Sequence, residues 1–325
     1  MERVTIYAVA SAANVSISTV SNALNKPERV NAETLARVLT VADELGYVPS
    51  ERAVALARRR THRVGVMAPF TSYGSYLRRL SGVLDAASEK GVDIVVYDHE
   101  SAAVASSPVL AGMPIHGRLD GLIVMGLEIE GSIAERLHHR GLPTVALDAG
   151  SDRFSRIISD DVEGGRIAAA HLVERGHRRL GYLLERQVSD YESQAVKRLA
   201  GFREVAERAG ATVEVLHSGN SVAQARAEAG RLLEGADRPS AVMAHHDLLA
   251  VGVVLAARDL GLRVPDDVAV MGCDDGEAAV AADLTTVRQP FERSGRVAFE
   301  MVQRGVAGDR TTVVLDLELV VRSTT

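Results

Sequence analysis

The residues with the most chemistry to offer are carboxylates, one arginine and a histidine pair, set at the ends of short apolar runs. Asp98 follows the run 92–97, Asp148 follows 143–147, His245-His246-Asp247 follow 241–244, and Asp274-Asp275 come shortly after 268–271. Asp160 and Asp161 lie between two sets of such runs, Arg198 lies in a helical stretch, and Phe70, Tyr73 and Tyr76 follow the run 63–68. A carboxylate accepts two hydroxyl hydrogens and a guanidinium donates a planar fork, so this set suits a polyhydroxylated small molecule. Phe70, Tyr73, Tyr76, Phe154 and Tyr191 could supply flat apolar faces to it. An Asp just past a strand also serves as an N-cap, and that reading stands beside the ligand reading for Asp160, Asp161 and Asp275.

Catalysis is not expected. The chain has no Gly-x-x-x-x-Gly-Lys phosphate loop, no Gly-x-Gly-x-x-Gly, no Gly-x-Ser-x-Gly elbow and no His-Glu-x-x-His. The histidine pairs 138–139 and 245–246 are sequence neighbours, which diverge by roughly 100° on a helix and form no chelating face. No metal and no cofactor are expected.

A second kind of chemistry sits near the N-terminus. Thr5 is an N-cap, and Ile6, Val9 and Ala10 have the spacing of one buried helical face until Ala13-Asn14 breaks it. Asn14 suits a left-handed turn. Ser16 caps a second helix in which Val20, Ala23 and Leu24 point one way, while Ile17, Ser18, Thr19, Ser21, Asn22 and Asn25 point the other. Two helices joined by a tight turn, the second with a polar outer face, follow the helix-turn-helix plan, whose second helix enters the DNA major groove. Asn22 could pair bidentately with adenine and Ser18 could bond several bases. Tyr7, Ser16, Ser21 and Asn25 suit phosphate oxygens.

Asn31 caps a third helix, expected to bury Leu35, Val38, Leu39, Ala42 and Leu45 and to stop at Gly46. Pro49 and Ser50 begin a helix of about two turns, too short to hold alone, in which Leu56 is a candidate minor-groove wedge. From residue 63 onward, apolar runs alternate with amphipathic helices, the pattern of doubly wound α/β layers. The runs 63–68, 92–97, 121–125 and 143–147 form one set, and 180–184, 213–216, 241–244 and 268–271 a second, so two similar lobes are expected to face one another. The stretch 312–321 reads as one long strand tying back across the lobe boundary.

Composition bounds these readings. The 325 residues carry a net charge of −6 and a single cysteine, Cys273, which suits a reducing cytoplasm. Residues 1–63 hold nine Lys/Arg against six Asp/Glu, a mildly basic head on an acidic body, with Arg52, Arg58, Arg59, Arg60 and Arg63 clustered near the linker. No apolar run approaches the roughly 20 residues that span a bilayer, and the N-terminus does not resemble a signal peptide.

Together the motifs Thr5-Ile-Tyr-Ala-Val-Ala, Val15-Ser-Ile-Ser-Thr-Val-Ser, Gly46-Tyr-Val-Pro49 with Ala53 and Leu56, Arg198-Leu-Ala-Gly-Phe202 and Gly272-Cys-Asp-Asp275 resemble the lactose/galactose repressor (LacI/GalR) family over essentially the whole chain. The resemblance implies an N-terminal all-α helix-turn-helix head (1–48), a hinge helix and linker (49–61) and a periplasmic-binding-protein-like α/β body of two doubly wound lobes (62–325). The first lobe is assigned roughly 62–160 plus 290–310, and the second roughly 161–289 plus 311–325. It implies base reading by Ile17, Ser18 and Asn22, backbone contacts from Thr5, Tyr7, Ser16, Thr19, Ser21, Asn25 and Tyr47, and a minor-groove hinge at Ser50, Ala53 and Leu56. Effector contacts are implied for Phe70, Tyr73, Asp148, Asp160, Arg198, His246 and Asp274. The expected partners are a double-stranded operator, a small-molecule effector and a second copy of the chain, with a tetramer as the alternative assembly and no membrane. The expected function is an effector-responsive repressor in the cytoplasm. The alternatives are a transport-type binding protein and a regulator controlled by a co-repressor or partner protein.

The chain departs from the family in several places. Asn22 stands where Arg is frequent, Ser50 where Asn is, Asn14 where Gly is, and His246 where the Asn of an Asn-Asp pair usually stands. Residues 101–108 lack the family's charged helix, and there is no Trp.

Two outcomes follow. Asn22→Ala should relax base preference at one symmetric pair of operator positions, read by selection from a randomised operator. Leu56→Ala should weaken specific binding far more than nonspecific binding, read by titrating operator and random duplexes at matched salt.

Overall fold

The computed structural model describes residues 5–25, 29–45, 47, 61–99, 119–127, 129, 131–187, 192–305 and 310–325. They form two compact units, one ending at Thr61 and one beginning at His62. The hinge residues Ser50, Ala53 and Leu56, the arginines 52 and 58–60, the segment 101–108 and Tyr191 lie outside the described residues.

The first unit holds α1 (Ile6–Ala12), α2 (Ile17–Asn25) and α3 (Ala32–Glu44). Each starts on the side chain that its sequence offers. Thr5 Oγ1 accepts from Ala8 N at 3.4 Å, Ser16 Oγ from Thr19 N at 3.1 Å and Asn31 Oδ1 from Thr34 N at 2.8 Å. Asn14 makes the turn between α1 and α2 with φ 53. The core is built from small side chains: Val9, Ala10, Ala13, Val20, Ala23, Val38 and Ala42. The expected stripe on α3 is corrected here, since Leu39 and Leu45 are exposed. Each of three short helices can cover only one narrow face of its neighbours, and Leu35, Val38 and Ala42 take that face.

The second unit is two lobes with one plan. β1 (Arg63–Ala68), α4 (Gly74–Ser88), β2 (Asp93–Asp98), β3 (Gly121–Met125), α5 (Gly131–His139), β4 (Thr144–Leu147) and β5 (Ser155–Ser159) build the first. α6 (Asp161–Glu174), β6 (Arg179–Glu185), α7 (Gln194–Arg208), β7 (Thr212–Ser218), α8 (Val222–Leu233), β8 (Ala241–Ala244), α9 (Asp247–Asp259), β9 (Ala269–Asp274), α10 (Glu277–Ala281) and β10 (Thr285–Arg288) build the second. The chain then returns through α11 (Phe291–Arg304) and β11 (Thr312–Leu315) to the first lobe, and ends in β12 (Glu318–Val320) in the second.

The strand orders are β11-β5-β4-β3-β1-β2 and β12-β10-β9-β8-β6-β7, so each lobe repeats the same winding and gains its outermost strand from the tail. All described pairings are parallel except β10 with β12. The single long strand read over 312–321 is therefore two strands, and 312–315 belongs to the first lobe rather than the second. Val313 and Leu315 pack into the first lobe's core, Leu317 and Leu319 into the second's. One alternating apolar pattern thus serves two cores. β5 and β10 escaped the sequence reading because Ser155-Arg-Ile-Ile-Ser159 and Thr285-Thr-Val-Arg288 are short and half polar. Tertiary partners satisfy those polar groups: Thr286 Oγ1 donates to Asp247 at 2.7 Å, and Thr324 Oγ1 accepts from Thr285 N at 2.9 Å.

One helix pair in each lobe meets through glycine. A Cβ at Gly82 would collide with the Glu292 carbonyl and one at Gly295 with the Arg79 carbonyl, joining α4 to α11. A Cβ at Gly165 would collide with the Arg198 carbonyl and one at Gly201 with the Val162 carbonyl, joining α6 to α7. In both lobes the helix that enters from the other lobe lies directly on the lobe's first crossover helix. Gly201→Ala should therefore destabilise by about 2–4 kcal/mol, because rigid backbones must separate. Gly230→Ala, in α8 with open space around the new methyl, should stabilise by about 0.5–1 kcal/mol. Urea unfolding of the two variants tests both signs.

Candidate functional site

The carboxyl ends of the central strands meet between the lobes, where open α/β sheets bind ligands. A cleft there is lined by Pro69, Tyr73, Tyr76 and Gly126 from the first lobe, and by Glu185, Gln187, Ser193, Gln194, Ala195, Arg198, His245, His246 and Asp274 from the second. Asp148, Asp274 and Asp275, just at or beyond the ends of β4 and β9, have φ of 49, 114 and 52. Left-handed backbone is unfavourable for such residues and is held only where the surroundings impose it.

Most buried charges in this region are paired. Arg79 donates to the Asp148 carboxylate, whose Oδ1 also accepts from Ser159 N at 3.2 Å. Arg198 donates to Asp161 Oδ1 at 3.0 Å and to the His245 carbonyl. Burial works against the Arg198 charge, and the surrounding acidic groups outweigh it, so the guanidinium stays protonated. Asp247 accepts from Gly276 N at 2.8 Å and from Thr286 Oγ1 at 2.7 Å, yet burial and the neighbouring Asp274 push its carboxyl to about 8. Asp274 is the exception. Among the described residues nothing donates a hydrogen bond to its carboxylate, and burial raises it to about 6 against the pull of Arg198 and Arg79. Glu185 is also raised by burial, opposed by the Tyr73 hydroxyl, which donates to its Oε2 at 3.0 Å.

Both cleft histidines are neutral imidazoles near neutral pH. Burial, with Arg198 adding to it, lowers His246 to about 3; burial, His246 and Arg198 lower His245 well below its ordinary value. The ligating atoms of Glu185, His245 and His246 lie within 4.8 Å of one another. The expectation that adjacent histidines cannot converge is corrected for this pair, because His246 is the extended N-cap of α9 rather than part of a helix (φ −151). Hydrogen bonding nevertheless keeps His246 from ligating. Asn220 Nδ2 donates to the Ser72 carbonyl at 3.3 Å, which turns its Oδ1 toward His246 Nε2 at 2.9 Å. His246 Nδ1 accepts from Leu249 N at 3.4 Å, so Nε2 carries the proton.

Of the seven effector residues expected from the sequence, Tyr73, Arg198, His246 and Asp274 line this cleft. The other three do not. Phe70 is buried in the first lobe's core. Asp148 is buried against Arg79, and its backbone carbonyl, not its carboxylate, reaches the second lobe by accepting from Gln194 Nε2 at 2.5 Å. Asp160 caps α6, accepting from Glu163 N at 3.0 Å. Glu185 and Gln194 were missed. Glu185 sits one residue beyond the expected strand 180–184, and extending that strand by a single residue would have found it.

In the first unit, α2 presents Ile17, 42 % exposed, beside exposed Ser18 and half-buried Asn22. Ile17 is thus not a core residue. Ser16 Oγ lies 2.7 Å from Ser18 Oγ and 2.8 Å from Thr19 Oγ1, one hydroxyl cluster at the helix start. Tyr7 is 68 % exposed and Thr5 is exposed, whereas Thr19 and Ser21 are half-buried and Tyr47 packs against the small core. The Asn25 side chain lies outside the described residues.

Comparison with known proteins agrees with both halves. Residues 5–50 match the model described as bacterial regulatory proteins, lacI family, and residues 169–325 match that of a periplasmic binding protein-like domain. The HTH-type transcriptional regulator DegA of Bacillus subtilis is 30 % identical over 99 % of this chain and 98 % of its own length. Among solved structures, the CelR–cellobiose complex aligns over 99 % of this chain and all of that one, with TM-score 0.69 and 28 % identity. The Lac repressor dimer bound to operator and the anti-inducer ONPF aligns over 99 % of both chains, with TM-score 0.69 and 26 % identity. No described helix is long and apolar enough to cross a membrane. The chain belongs to the lacI family of bacterial regulatory proteins: it is a DNA-binding transcriptional regulator, not an enzyme, and responds to a small-molecule effector.

Proposed function

We propose that this regulator is a cytoplasmic repressor that binds a near-palindromic operator as a homodimer and is controlled by a polyhydroxylated molecule held between its lobes. The observation that carries the effector reading is Asp274. It is a strained, half-buried carboxylate at the end of β9 that faces the cleft with no protein donor among the described residues, whereas its buried neighbours are paired. Arg198 and His246 flank it, and Tyr73 and Tyr76 offer aromatic surface.

Ile17, Ser18 and Asn22 are proposed to read bases, with Thr5, Tyr7, Ser16, Thr19, Ser21, Asn25 and Tyr47 on the backbone and Ser50, Ala53 and Leu56 in the hinge. The exposed start of α2 supports the first group, since small donors and one aliphatic side chain can reach base edges and a thymine methyl. Two heads are needed to span two half-sites. Exposed apolar residues support a second copy: Leu77 and Leu84, seven positions apart on α4, are 54 % and 47 % exposed, and Leu248 and Val280 in the second lobe are 49 % and 60 % exposed.

Coupling would run through contacts that bridge the lobes. Gln194 donates to the Asp148 carbonyl, Tyr73 to Glu185, Asn220 to the Ser72 carbonyl, and Arg78 to the carbonyls of Asp274 and Asp275 at 3.1 and 3.2 Å. A ligand that favours one arrangement of these bonds shifts the lobes, and its differential affinity sets how strongly DNA binding responds.

A thermal-shift screen of sugars, polyols, sugar phosphates, nucleosides and purines tests the reading. A ligand at a hundredfold excess over its Kd should stabilise by about 2.7 kcal/mol, and Asp274→Ala should abolish that shift. Repeating operator binding with the hit separates induction from co-repression. The pH dependence has a defined sign. Ligand bonds to ionised Asp274 are present above pH 6 and are lost as pH falls through about 6. In the empty protein the folded-state value lies above the unfolded one. Stability from this group is thus greatest below about pH 4, is lost as pH rises toward 6, and Asp274→Asn should flatten that slope.

A further inference from the structure

We infer that the effector of this cleft carries a protonated amine. The inference rests on the cleft being the effector site and concerns the charge of its occupant. Among the described residues, three charged groups line it: Glu185, Asp274 and Arg198. The Arg198 charge is already matched, since its Nε bonds Asp161 and another guanidinium nitrogen bonds the His245 carbonyl. The two histidines are neutral. Asp274 feels Arg198, Arg79 and Arg78, but each of these is bonded to another acid, and among the described residues no cation donates a hydrogen bond to the Asp274 or Glu185 carboxylate.

The duplicated winding supplies an internal comparison. In the first lobe, the left-handed Asp148 beyond β4 receives Arg79 from the first crossover helix, α4. In the second lobe, the left-handed Asp274 ending β9 occupies the corresponding place, and Arg198 comes from the corresponding helix, α7. Arg198 turns instead to Asp161, so the position that a guanidinium fills in one lobe is left to the ligand in the other. The wall around it suits a cation. Tyr73 and Tyr76 pack edge to face with ring centroids 6.0 Å apart, and the Tyr76 ring already hosts the Arg79 guanidinium 5.2 Å from its centroid. Glu185 lies beside Tyr73 with its side chain 12 % exposed.

Other occupants fit less well. A phosphate or carboxylate would meet two like charges and no uncompensated cation. A neutral polyol could donate to both carboxylates but would bring no positive charge to offset their burial. A metal ion would need Glu185, His245 and His246 together, and the proton on His246 Nε2, held toward Asn220, leaves only two ligands.

Calorimetry and thermal shift on the full-length protein with matched probes test the inference. The sets are glucose, galactose and ribose; glucosamine and galactosamine; their N-acetyl derivatives; the sugar phosphates; putrescine against succinate; and zinc chloride. The expected result is at least tenfold tighter binding of an amine than of its neutral parent, loss of that advantage on N-acetylation, and weaker binding of the phosphates. Glu185→Gln should shrink the ratio of amine to neutral-parent affinity severalfold, and an unchanged urea-unfolding midpoint of the ligand-free variant shows that it is folded. Equal or tighter binding of a neutral or phosphorylated probe overturns the amine inference and leaves the effector cleft standing. Tight zinc binding replaces it with a metal site. Silence across every probe overturns both the amine and the cleft reading.

Discussion

Arg198 reaches from α7 to Asp161 at the start of α6 and to the His245 carbonyl just beyond β8, so one buried guanidinium joins three elements of the second lobe. A buried charge of this kind has few acceptable positions. Leaving it unpaired costs about 3–5 kcal/mol, and that cost holds α6, α7 and the end of β8 in register. The cleft inherits its character from the choice: because Arg198 bonds Asp161, it acts on Asp274 only through its field, and among the described residues the Asp274 carboxylate accepts no hydrogen bond. The polar wall that a ligand meets is thus a by-product of how the lobe satisfies its own core.

The two lobes use one winding twice, and the chain exchanges segments between them. It crosses after β5, after β10 and between β11 and β12, so neither lobe can be drawn from a continuous stretch. The helices entering at the first two crossings, α6 and α11, are clamped by glycine contact to α7 and α4, the helices that carry Arg198 and Arg79. Lobe packing and cleft chemistry therefore share the same helices. Movement of one lobe against the other must pass through the crossings and through the few hydrogen bonds that bridge the cleft, so a molecule bound in the cleft would have the most leverage on geometry.

The head follows a different economy. Its core is made of Val and Ala, which limits the apolar area it buries and lets short helices approach closely. Stability comes in part from caps: Thr5, Ser16 and Asn31 each accept from a backbone N–H in the first turn of the helix that follows. A small core leaves the polar start of the second helix at the surface, where Ser16 and Ser18 are exposed.

What was legible in the amino-acid order was local. Helix starts, the left-handed Asn14, the strand periodicity and the polar residues at strand ends all depend on neighbours within a few positions, and so did the recognition of Tyr73, Arg198, His246 and Asp274 as cleft residues. Which of several strand-end carboxylates would face a ligand was not local. Asp148 and Asp274 look alike in the chain and both adopt left-handed backbone, but one is taken by Arg79 and the other is passed over by Arg198. Likewise the tail, one uninterrupted alternating pattern in sequence, is divided between two sheets because Val313 and Leu315 find one core and Leu317 and Leu319 the other. The sequence by itself determined the elements, the head's motif and the family. Tertiary structure alone decided which charges are bonded inside the protein, because a buried charge is settled by partners distant in sequence, as Arg79 is by Asp148 and Arg198 by Asp161.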